Sequence, residues 1–135
     1  GTSPHAIEYL ANWINNNNSS LNIDIKAKIL RKNEVDINNA SLSDCIKQGG
    51  VAIFRVWSDC EHYVLCTKMD EKNAYIFDPY YLDEREYDDD LECTMVFNKP
   101  FEYNRIVSKK RFNSLSKNDF SFVKNEESKI LLLYR

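Results

Sequence analysis

The apolar positions of this chain change their spacing about a third of the way along. Over residues 4–15 they fall at Ala6, Ile7, Leu10, Ala11 and Ile14, the three- and four-residue repeat that lays one stripe along a helix. Ser3 can cap that helix and Pro4 takes its first position. The polar run at 15–20 then reads as a solvated loop. Residues 22–30 alternate, with Ile23, Ile25, Ala27 and Ile29 set against Asp24, Lys26 and Lys28, and predict a short strand. Beyond an irregular connection carrying Val35 and Ile37, Ser41 with Asp44 three positions on is a near match to a capping box. A second helix is therefore expected, with Leu42, Cys45 and Ile46 on one side and Gly49 at its end.

From residue 51 strands take over. The spacing predicts them at 51–57, 61–69 and 74–77, with a turn at 70–73, and again at 93–97, 103–107, 120–123 and 130–134. The last is nearly continuous in Ile130-Leu131-Leu132-Leu133 and is expected to lie centrally. Helices first and strands afterwards describe an α+β fold, an antiparallel sheet packed against two or more helices.

Composition narrows the partners. A chain of 135 residues with 43% hydrophobic and 13% aromatic residues is expected to form a single domain over 1–135 with a real core. No apolar run reaches membrane-spanning length, and the amino end has no basic-then-apolar signal. The net charge of −3 offers no basic face, so nucleic acid is not an expected partner. Lys109-Lys110-Arg111 is read as a surface patch, and the carboxylate-rich run at 83–90 as a solvated loop, its spacing not being that of a calcium loop. The four cysteines, at 45, 60, 66 and 93, lack paired zinc-site spacing, and no metal or cofactor is expected. They read as reduced thiols in a cytoplasmic protein.

One pairing looks chemical. Consecutive antiparallel strands lie roughly 5 Å apart, and His62 and Asp78 stand equally far either side of position 70, at the start of the proposed turn. They are expected to meet at one sheet edge. An imidazole oriented by a carboxylate is two thirds of a nucleophile, base and orienter arrangement. The thiol is harder to find. Cys45 sits on an apolar helix face and reads as a small buried hydrophobe. Cys60 shares a strand face with His62 but lacks the helix amino terminus that lowers a thiol's pKa. His5 is expected to be exposed, and Tyr63, Tyr80 and Tyr81 either line a cleft or cover the core.

The string His62-Tyr63-Val64-Leu65, followed after a turn by Tyr75-Ile76-Phe77-Asp78-Pro79-Tyr80-Tyr81, resembles the histidine strand and Asp-Pro motif of the bacteriocin-processing (double-glycine) peptidases, bacterial members of the papain-like cysteine peptidase clan. The resemblance covers about the middle third of the chain. It implies a papain-like fold and a thiol protease acting on a peptide or amide, with His62 as base and Asp78 as its orienter. In that family a cysteine opens the first helix a few residues after a glutamine. Neither is found here, so the resemblance implies a nucleophile on an upstream segment or in a larger parent protein. The alternative is a peptide-binding domain of the same fold without activity.

Overall fold

In the computed structural model, which describes residues 2–80, 87 and 89–135, the amino-terminal stripe forms helix α1 (Ala6–Asn17), burying Ile7, Ala11 and Ile14. The helix starts two residues later than expected. Ser3 shapes a turn ahead of it instead, its hydroxyl accepting from the His5 N–H at 3.2 Å and its carbonyl from the Ala6 N–H at 3.0 Å. The helix also runs into the polar stretch read as loop, because Asn15 has a partner. Its amide donates to the Ala27 carbonyl and accepts from the Ala27 N–H, both at 2.9 Å.

Strand β1 (Lys26–Arg31) follows, then a 3-10 turn over Lys32–Glu34 and helix α2 (Ala40–Lys47). The cap of α2 is Asn39 and not Ser41, its side-chain oxygen accepting from the N–H groups of Ser41 and Leu42. Gly49 ends the turn at φ 87, the left-handed conformation that suits glycine after a helix. Gly50 has a different reason to be small. A Cβ there would lie 2.6 Å from Cys45 Sγ and 2.7 Å from the Leu133 carbonyl oxygen.

The remaining elements are β2 (Val51–Ser58), β3 (Cys60–Met69), β4 (Asn73–Phe77), β5 (Cys93–Met95), β6 (Arg105–Ser108), the short helix α3 (Lys109–Phe112) and β7 (Lys129–Tyr134). They make the expected α+β fold with an antiparallel sheet, in the order β1-β7-β2-β3-β4-β6-β5. Strand β7, expected to be central from its apolar run, is interior but one in from the edge, paired with β1 on one side and β2 on the other. No described helix is long and apolar enough to cross a membrane.

Two cores flank the sheet. The larger joins α2 and α3 to one face through Leu42, Phe54, Val64, Ile76, Val107, Phe112 and Ile130. The smaller places Ile7, Ala11 and Ile14 of α1 against Ala27 and Leu131 on the other. Farther along that second face Leu65, Tyr75, Phe77 and Ile106 are only half buried.

Two expectations fail in the last third. Residues 120–123 are not a strand. Phe120 and Val123 have φ of 69° and 44°, and the segment makes only a short bridge to β2, Phe120 N–H to the Trp57 carbonyl and Trp57 N–H to the Ser121 carbonyl, each at 2.8 Å. It is held by ring packing, Phe122 on Phe54 with centroids 5.3 Å apart and on Phe112 at 5.5 Å. Nor is the basic cluster simply a surface patch. Arg111 is largely buried and forked onto Asp90, with Glu92 at 3.0 Å, as guanidinium geometry favours.

Candidate active site

The β2–β3 hairpin closes through Asp59, the one residue between the paired Ser58 and Cys60. Its φ of 57° is one that aspartate tolerates better than most side chains. The tight turn puts His62 two residues into β3, near the end of the sheet. The β3–β4 ladder pairs Leu65 with Phe77, after a register shift between Cys66 and Lys68. One step farther, Asp78 stands opposite Val64, so His62 reaches it diagonally, on the same face of the pleat. Diagonal neighbours lie roughly 7–8 Å apart at Cα, within reach of an imidazole and a carboxylate.

They meet. His62 Nε2 is 3.2 Å from Asp78 Oδ2, with the imidazole 22% exposed and the carboxylate 3%. Contact with a carboxylate oxygen puts the ring proton on Nε2 and leaves Nδ1 as the lone-pair nitrogen. No described residue hydrogen-bonds Nδ1. The second carboxylate oxygen, Oδ1, accepts from the Tyr80 N–H at 2.9 Å. Both oxygens of Asp78 are thus held.

Holding continues beneath. Asn104 accepts from the Asp78 N–H at 2.8 Å and donates from Nδ2 to the Asp78 carbonyl at 2.7 Å. Its own N–H donates to the Ile76 carbonyl at 2.9 Å. The guanidinium of Arg105, 1% exposed, donates to the Tyr80 carbonyl at 2.8 Å. Neither residue stands out in the sequence. Both belong to a short segment whose period is that of any strand.

The pair opens onto a cleft of about 570 Å³ lined by Thr2, Ser58, Asp59, Cys60, Glu61, His62, Tyr63, Pro79 and Tyr80. The Tyr63 hydroxyl crosses to the amino end of the chain, donating to the Ser3 carbonyl at 2.9 Å. Burial pushes that phenol's pKa up. Tyr63 and Tyr80 therefore line a cleft, whereas Tyr81, with most of the acidic run at 83–90, lies outside the described residues. Glu61, on the rim, is paired to the buried Arg55. His5 is exposed and faces Glu8.

All four thiols are unpaired. Cys45 is buried, its S–H directed at the carbonyls of Val51 and Leu133, and desolvation raises its pKa. Burial pushes Cys66 and Cys93 up to about 12, so both stay protonated and inert at neutral pH. Only Cys60 is exposed, on the cleft wall beside His62. Among the described residues no three His, Cys, Asp or Glu side chains converge as metal ligands. What the arrangement can do is hold an imidazole in one orientation on the wall of a cleft, one ring nitrogen on a carboxylate and the other without a partner among the described residues.

Comparison of the chain with protein-family models, with curated proteins and with solved structures gave no match.

Proposed function

We propose that this chain is the histidine- and aspartate-bearing part of a papain-like cysteine peptidase domain that cleaves or transfers an amide bond. The observation that carries the reading is the 3.2 Å contact between a partly exposed imidazole on the wall of a cleft and a buried carboxylate. A thiol on a segment outside residues 1–135 gives its proton to His62 Nδ1, and the thiolate attacks the amide carbonyl. As the C–N bond breaks, His62 returns the proton to the leaving nitrogen, and water or another acceptor then releases the acyl group. Asp78 keeps the ring in one tautomer and stabilises the imidazolium. The cytoplasmic setting belongs to the same proposal, supported by four unpaired thiols.

A second reading, a binding domain that holds a peptide in the cleft without cleaving it, is favoured by the burial of three of the four thiols. Alkylation with iodoacetamide at mildly acid pH, mapped by mass spectrometry, separates the two. The peptidase reading expects slow labelling of all four cysteines in this chain. It expects one fast cysteine in the parent protein, with a rate that collapses in His62→Ala. Fast, His62-dependent labelling of Cys60 would move the nucleophile inside these residues. Uniformly slow labelling of chain and parent alike would leave the binding reading.

A further inference from the structure

The ladder between β4 and β6 cannot continue past Asp78. Pro79 has no N–H to give, and the Asp78 main chain would end as a frayed strand terminus. At this point the side-chain amide of Asn104 takes the place of a strand neighbour. It accepts from the Asp78 N–H at 2.8 Å and donates to the Asp78 carbonyl at 2.7 Å. Both groups belong to one residue, so the two bonds together fix its φ and ψ, and with them the direction of its Cα–Cβ bond.

That direction decides where the carboxylate points. With the backbone set, Oδ2 lies 3.2 Å from His62 Nε2 and Oδ1 accepts from the Tyr80 N–H at 2.9 Å. Asn104 is anchored in turn, its N–H on the Ile76 carbonyl and its carbonyl accepting from the Val96 N–H at 3.0 Å and from Arg105 Nη1 at 3.2 Å. We infer that Asn104 is the positioning residue of this site, acting on His62 through the main chain of Asp78. The inference rests on the proposed role of the His62–Asp78 pair and names what keeps that pair aligned.

The molecule supplies a matched control. Asn15 holds the Ala27 N–H and carbonyl in the same way, both at 2.9 Å, remote from the cleft. The test is the rate at which the His62 Nε2–H exchanges with water, read from the imidazole N–H resonance of the ¹⁵N-labelled chain. The chain has two histidines, so His5→Gln assigns the signal. Wild type is expected to show a slowly exchanging, carboxylate-bonded N–H. Asn104→Ala is expected to speed its exchange about tenfold or abolish the signal, the size set by two lost hydrogen bonds. Asn15→Ala is expected to leave it unchanged while lowering thermal stability comparably. Should Asn104→Ala fail to fold, the isosteric Asn104→Asp keeps an acceptor for the Asp78 N–H but loses the donor to its carbonyl, and is expected to speed the exchange in the same direction by a smaller factor.

A wild-type exchange rate that survives in Asn104→Ala, or in Asn104→Asp where the alanine variant does not fold, overturns the role of Asn104 and leaves the pair standing. An equal loss in Asn15→Ala and Asn104→Ala reduces the effect to general loosening and also overturns it. A wild type with no protected N–H removes the pair, and with it both the proposed function and this inference.

Discussion

Asn15, reaching from α1 to Ala27, and Asn104, reaching from the approach to β6 to Asp78, each grip a main-chain N–H and carbonyl with one side-chain amide. Their surroundings differ. Ala27 lies on the outermost strand, and its grip satisfies edge groups that would otherwise face water or another chain. It also fastens α1 beside the small core of Ile7, Ala11, Ile14 and Leu131. Asp78 lies where a strand stops short of a proline, and it carries a carboxylate turned to an imidazole. The same two bonds close an edge in one place and aim a functional group in the other. The role of such a grip is read from the residue it holds.

Substitutions sharpen that contrast. The largest effect is expected from His62→Ala. Thiol activation in the parent protein should fall by about 10²–10⁴-fold, the usual yield of general base catalysis, while thermal unfolding stays near that of wild type. Retained rate would break the proposed division of labour.

Next comes a pair of leucines on the second face of the sheet. Leu131 is fully buried under α1, whereas Leu65 is only partly buried. Denaturant unfolding should show Leu131→Ala costing about 2–5 kcal/mol and Leu65→Ala under about 1.5 kcal/mol. Equal losses would mean that the two halves of this face are covered alike.

Asn15→Ala should cost roughly 1–3 kcal/mol in the same assay, two modest hydrogen bonds, without touching the cleft. The smallest effect is a pH dependence away from both grips. Hydrogen bonds from the Asn113 amide and the Asn38 N–H lower the pKa of Asp36 below the usual 3.8, helped by Lys124. A carboxylate depressed in the folded state stabilises above its unfolded pKa, and that contribution is lost as pH falls through the folded value. Melting temperature should therefore drop on acidification below about pH 4, and less steeply in Asp36→Asn.

How much of this the sequence discloses varies with the range of the interaction. The β2–β3–β4 meander follows from alternation and one turn, and with it the meeting of His62 and Asp78. Their diagonal approach does not follow, because the register shift between Cys66 and Lys68 leaves no mark in the period. Both Asn39 and Ser41 can cap α2. A side-chain bond to the preceding turn favours Asn39, whose Nδ2 also donates to the Glu34 carbonyl at 3.1 Å. Phe120 and Phe122 alternate like a strand, yet they are buried by ring packing around left-handed backbone. Asn104 grips a residue 26 positions away, and local pattern is blind at that distance.

The place of β7 between β1 and β2 has a consequence for synthesis. Lys26 pairs with Tyr134, and Val51 with Leu133, so β1 and β2 share a neighbour that is synthesised after every other strand of the sheet. At about 5–20 residues per second, roughly 5–20 s separate the emergence of β1 from that of its partner. During that interval the inner edges of an amphipathic strand and an apolar one are unpaired, and chaperones and aggregation compete for them. A message truncated before residue 129 would leave them so permanently.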